Sequence, residues 1–358
     1  TMKPVLTALA GALFAAVLAV DSAAGQQTFV LPLSVGNPLN TNVPFAVGRM
    51  RYQQWYSAAQ WQARSARPIR VNAMQFKAGS TGLGVAGRQV EIEVTMANGP
   101  TTPSSAFESN LVSGRVIVFP RNRITLPAPT PGTWPVNIPF TNEFVWNGTS
   151  SVVVDIRVWD NGNNGNSWTY DMEYDGSSSS AMFRLWAVNN PTATTAGFMG
   201  QGQGLTTRFF YNSALSISYG TGCAGEGGFI PLASTEGGLP VPGNGAWTQV
   251  LSRAPSQRQA LFYMGFSSTL WNGQPLPFDL GILGAAGCNV LAEVVAGVTL
   301  TTVGGGPGAG IARLPFPMPS TTSWVGIEVF SQWIVIDPGS PSGVLCVSNG
   351  LWHITASS

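Results

Sequence analysis

The chain has 358 residues, a formal net charge of +1 and only 9% charged side chains, against about 25% in an ordinary soluble protein. That balance excludes electrostatic capture of nucleic acid or of an anionic membrane as the basis of function. Hydrophobic residues at 44%, with 12 Trp and 18 Phe, exclude a disordered chain, which is poor in such core material.

Residues 2–25, MKPVLTALAGALFAAVLAVDSAAG, join a positive start at Lys3 to an apolar run from Pro4 to Val20 and a small-residue end. This is the pattern of a secretory signal peptide, with cleavage expected after Ala24 or Gly25. The run is short for a membrane span, and no later run reaches membrane length. The mature chain is therefore expected to be secreted, extracellular or held at the cell surface, with no membrane span.

Residues 49–63 then predict one or two helical turns that give way before Pro68. Runs rich in β-branched and aromatic residues follow at 88–97, 114–119, 150–159, 181–188, 207–219, 258–266, 289–300, 324–330 and 333–337. Clusters of Gly, Pro, Asn and Ser separate them, which is the pattern of all-β sandwiches or barrels. Composition shifts to Gly and Pro around 218–228. The expected organisation is all-β: a signal peptide at 1–25, an N-terminal β-sandwich domain at 27–219 and a Gly/Pro-rich β-sandwich domain at 220–358.

Export permits disulfides, and three cysteines leave one thiol over. Cys223 in GTGC and Cys288 in GAAGC share Gly-rich bends and are the favoured pair. Cys346, in the apolar run SGVLCVSN, is expected to be buried. A Cys223–Cys346 pairing remains the alternative.

Several segments carry a resemblance. They are GRMRYQQWYSAAQW, IRVNAMQFKAG, VEIEVTMA, VIVFPRNRITLP and IPFTNEFVWNGTSSVVVDIRVW, and, further on, GTGC, GAAGC and SNGL. Together they resemble uncharacterised secreted proteins of planctomycetes and related environmental bacteria, although Trp146 stands where that family often has Tyr. The resemblance implies export and jelly-roll-like sandwiches with a Gly-rich C-terminal domain. Its motifs are structural, and it implies no catalytic residue.

The densest polar stretch is DNGNNGNSWTYDMEYDG, residues 160–176. Residues 150–160 and 170–176 alternate, and the Asn-Gly run between them suits a turn. The reading is a hairpin with Val154, Ile156 and Val158 inward and Asp155, Arg157 and Trp159 outward, bringing Arg157 near Asp171 or Glu173. A helix-loop-helix calcium loop would place Asp160 first, Gly165 sixth and Asp171 twelfth, but Gly162 occupies the third position, where an acid belongs. A looser structural Ca²⁺ site on Asp160, Asp171 and loop carbonyls is the minority expectation; no other cofactor is implied. Trp159 and Trp168 flank the turn and are the candidate sugar-stacking pair.

Catalytic constellations are missing from the sequence. His353 is the single histidine and reads as a residue of the last, edge-prone strand. There is no G-x-S-x-G elbow, no phosphate loop and no C-x-x-C, and Lys77 is the only lysine after the leader. Glu91 and Glu93 share a strand face, but spacing alone selects no glycosidase pair. The expected function is thus a secreted, non-enzymatic structural protein of a surface, matrix or filament. Its expected partners are further copies of itself or other surface proteins. The alternative is a module that binds polysaccharide through exposed Trp.

Overall fold

The computed structural model describes residues 27–33, 35–177 and 180–356, so the expected leader lies outside the described residues. The chain is almost entirely β, and its contacts divide it into two compact units, one within Gln26–Ser213 and one within Ala214–Ser358.

The first unit has twelve strands: β1 (Gln27–Leu31), β2 (Pro38–Thr41), β3 (Met50–Tyr56), β4 (Ile69–Phe76), β5 (Arg88–Gly99), β6 (Ser113–Leu126), β7 (Val136–Trp146), β8 (Ser151–Asp160), β9 (Met172–Asp175), β10 (Met182–Val188), β11 (Phe198–Gln201) and β12 (Thr207–Asn212). They form a four-stranded sheet, β1-β12-β4-β7, a six-stranded sheet, β11-β10-β3-β8-β5-β6, and the small pair β2-β9. The alternation of side chains puts one face of each large sheet into a common core. Phe29, Val71, Met74, Ile138 and Phe209 come from the four-stranded sheet, and Tyr52, Ile92, Val154, Ile156 and Val158 from the six-stranded one.

The polar-looking segment 50–56 is the strand β3, buried at every position. Helix α1 (Ala58–Gln62) is the only part of 49–63 that is helical, and it carries Trp61 into the core against Phe29, Trp146 and Phe209.

The second unit contains β13 (Leu215–Tyr219), β14 (Leu232–Glu236), β15 (Thr248–Ala254), β16 (Gln259–Gly265), β17 (Leu270–Trp271), β18 (Gln274–Pro275), β19 (Phe278–Asp279), β20 (Asn289–Val290), β21 (Ala296–Thr301), β22 (Gly310–Pro315), β23 (Glu328–Ile336), β24 (Leu345–Val347) and β25 (Gly350–Ile354). The main sheet runs β13-β25-β23-β16-β21, with β24 paired to β23, and the second sheet is β14-β15-β22. Ala233, Leu251 and Ala312 of the small sheet pack with Phe262, Trp333, Val335 and Leu351 of the large one. On the opposite face of the large sheet, Leu280, Ala285, Cys288 and Val290 pack on Tyr263, Leu345 and Val347.

Three expectations need correction here. The boundary falls between Ser213 and Ala214, not after 219, because the apolar run 207–219 holds two strands that belong to different units. The last strand, β25, is not an edge: it lies between β13 and β23. And β8 forms no hairpin with β9. It pairs with β3 and β5, while β9 pairs with β2. A strand with a ladder partner on each side has no free edge for the acidic strand that follows it.

Candidate functional site

The loop at 160–166 is held by its own amides. Asn161 is fully buried, and its Oδ1 accepts from the N–H groups of Asn163 (3.2 Å) and Gly165 (3.1 Å) while its Nδ2 donates to the Asn166 carbonyl (2.8 Å). Gly162, Asn164 and Gly165 adopt positive φ, the conformation that Asn and Gly accept at least cost.

Around this loop the two candidate metal ligands have separate partners. Asp160 accepts from the Gly162 N–H at 3.0 Å and faces Arg123 at 3.3 Å. Asp171 accepts from the Thr81 hydroxyl, and its backbone bonds Leu83 and Gly79. Glu173 pairs with Lys77 at 2.8 Å and accepts from Thr206 at 2.9 Å. Asp175 caps the Asn37 and Ser177 N–H groups. Among the described residues no group of three or more His, Cys, Asp or Glu side chains is placed to hold a metal ion.

The candidate stacking pair is also reassigned. Trp168 is only 8% exposed, packs in the core beside Tyr170, and donates its indole N–H to the Asn161 carbonyl at 2.9 Å. It offers no open ring face. Trp159 is half-buried, and one face carries the guanidinium of Arg121 at 4.3 Å, which Glu91 grips through two 3.0 Å bonds. That grip holds the Glu91 carboxyl below the usual range.

A polar cluster that the sequence reading did not assemble lies on the outer face of the six-stranded sheet. Arg51 and Asp155 form a buried ion pair. Arg51 also donates to Glu108 (2.8 Å) and to the Ala193 carbonyl (3.0 Å), and Phe107 lies under its guanidinium at 4.7 Å. Gln53 donates to Asp155 (3.1 Å) and to the Phe107 carbonyl (3.0 Å), and accepts from Asn110 (2.9 Å). Phe107, Leu185 and Ala193 form a small core over this face. Arg157, expected near Asp171, faces Glu108 (3.5 Å) and Glu93 (3.8 Å) instead. Every polar group here is matched within the cluster, so the arrangement holds the covering loop in place and leaves no activated nucleophile or base.

In the second unit the disulfide joins Cys223 to Cys288 and leaves Cys346 buried. Burial, and then the Asp337 carboxylate beside it, push the Cys346 thiol up to about 12. A cleft of ≈ 370 Å³ opens over the disulfide, lined by Ala224, Gly284, Gly287, Pro341 and Ser342 as well as both half-cystines. It contains no titratable side chain. His353 lies inside the sandwich, its Nδ1 and Nε2 each 2.9 Å from a serine hydroxyl, Ser216 and Ser331, with the Trp247 ring edge-on at 5.0 Å. Burial pushes its pKa down to about 3, so the ring is neutral. Without a carboxylate to orient it, or access to solvent, it cannot serve as a general base in the usual sense.

No protein-family model matches the chain, and no curated protein is significantly similar to it.

Proposed function

We propose that this protein is an exported, non-enzymatic structural component that assembles with copies of itself at a surface or in an extracellular matrix. The observation that carries this reading is the surface of the second unit. Among the described residues from 214 onward, fourteen large apolar side chains are exposed, while the same stretch has only three Arg, six acidic residues and no Lys. Three of these side chains lie on neighbouring segments. Phe266 (59% exposed), Val294 and Val295 (57%) are drawn to one end of the main sheet, where Glu293 N–H bonds Ser267, Phe266 N–H bonds Glu293, and Val295 N–H bonds Met264. Exposed apolar surface with little charge to keep copies apart favours association.

The test is sedimentation of the chain from Gln26 across a hundredfold concentration range, with electron microscopy of the concentrated sample. Mass rising with concentration and ordered assemblies are expected. A monomer at every concentration would remove the proposal.

A second reading, polysaccharide binding, draws support from a different set of aromatics. On the face of the main sheet that carries the second core, Phe330 and Trp352 are half-buried cross-strand partners with near-parallel rings, 5.9 Å apart and 17° from coplanar. Tyr219 stands edge-on to Phe330, and Glu328 accepts from the Trp352 indole at 3.1 Å. Retention on insoluble polysaccharide that is lost in Trp352→Ala would favour it.

A further inference from the structure

Natural sheets blunt their edges with charge, proline, bulges or covering segments, because an open edge is a template for another strand. Four edges of this protein carry such devices. β6 has Arg115, Pro120, Arg121 and Arg123. β7 has Pro139, Glu143 and a register shift. β14 ends in Glu236, and β22 contains Arg313 and Pro315. β21 has none of these; β1, β11 and β13 are equally bare, but at four or five residues each they are shorter than the six of β21. It is AGVTLT, paired with β16 over six consecutive residues without a bulge, and no strand lies on its other side among the described residues.

We infer that β21 is the assembly edge, and that its partner is β21 of a second copy, added antiparallel about a two-fold axis through Val298. The inference rests on the self-association reading above and names the surface that carries it. Register fixes the faces. Ala296, Val298 and Leu300 lie opposite Met264, Phe262 and Ala260, on the side that holds the core. That row is left unfinished: Val298 is 42% exposed at the rim of the core. Gly297, Thr299 and Thr301 lie on the other face.

A two-fold through Val298 places Val298 against its own copy and Ala296 against the partner's Leu300, continuing the apolar row. On the other face it places Gly297 against the partner's Thr299, and Val295 against the partner's Thr301. Each pair sets a small residue beside a larger one or joins β-branched side chains, the combinations that stabilise cross-strand neighbours. No charge meets a like charge, so nothing opposes the isologous contact. The ladder cannot extend past Thr301, because Thr302 already bonds Arg258 and Pro255 within its own unit.

The test uses Val298→Cys and Thr301→Cys in the full chain under mild oxidation. Cys223 and Cys288 are already paired and Cys346 is buried, so the introduced thiol is the accessible one. Val298→Cys is expected to give a covalent dimer. Thr301→Cys is not, because in this register the two copies of residue 301 lie about 20 Å apart. In parallel, Val298→Lys should keep its cooperative melt and weaken association at least tenfold. Cross-linking at 301 and not at 298 would overturn the register. Association undiminished in Val298→Lys, with no cross-link at 298, would overturn the edge while leaving self-association intact. A wild-type chain that never associates would remove both.

Discussion

Arg51 and Asp155 meet as a buried ion pair on the face of the six-stranded sheet turned away from its main core, and the pair is what ties the 107–110 turn and Ala193 to that face. The geometry explains why two charges are tolerated there. Arg51 has acceptors on three separate elements, and Asp155 receives donors from both Arg51 and Gln53.

Removing one charge and leaving the other is the costly change. Asp155→Ala is expected to destabilise the first unit by ~3–5 kcal/mol, toward the lower end because Glu108 still faces Arg51. The double variant Arg51→Met with Asp155→Leu should recover much of the loss. Urea denaturation of the three proteins decides it; a loss no smaller in the double variant would refute the account.

Trp168 and Trp159 should behave differently from one another. Trp168→Ala opens a cavity in the core and is expected to cost ~3–5 kcal/mol. Trp159→Ala removes a cation–π contact at a half-exposed strand end, worth ~0.5–1 kcal/mol. Melting curves would show equal losses if the buried and surface assignments were mistaken.

His353 predicts an acid limb. Its folded pKa, about 3, lies below the unfolded value of about 6.5. Its contribution is therefore fully present above pH 6.5 and declines as pH falls toward 3, by up to about 1.4 kcal/mol per pH unit. Ser216, Ser331 and Trp247 surround the ring and bring no charge of their own. The difference in denaturation free energy between wild type and His353→Gln should narrow from pH 7 to pH 4. A constant difference would mean that the ring is already solvated.

The cysteines give a paired prediction. The disulfide closes a 65-residue separation, and its loss in Cys223→Ser is expected to cost about 4 kcal/mol on the chain-entropy scale. Cys346 should not react with a thiol reagent at pH 8 until the protein unfolds, when a single thiol should appear per chain. Reaction in the native state would contradict the position of Cys346 beside Asp337.

Sequence pattern resolved the elements better than their partners. The runs at 88–97, 150–159, 181–188 and 258–266 are all strands, and Cys223 does pair with Cys288. One misreading has a clear physical origin. Alternation at 150–160 predicts a wet face, but β8 is covered on both sides, so Asp155 points into a second core beside Arg51 and Gln53 of β3. RYQQWY lies in the segment expected to be helical, yet it is a buried strand whose polar atoms are matched by distant groups: Gln54 by Leu205, Trp55 by Pro100, Tyr56 by Thr207. Local periodicity carries no information about a loop folded over a sheet from fifty residues away. The one available signal was polar residues at both parities of a strand otherwise rich in aromatics.

Each unit is also closed in the same way. Its first strand pairs antiparallel with its last, β1 with β12 and β13 with β25, so that Gln27 lies opposite Tyr211 and Leu215 opposite Ile354. The points where the chain enters and leaves a unit are therefore the first rung of its closing ladder. Tension along the chain would load that rung alone and then the next, peeling five pairs in turn where a shear arrangement would resist with all of them together. A unit pulled by its two ends would therefore open at low force and in steps.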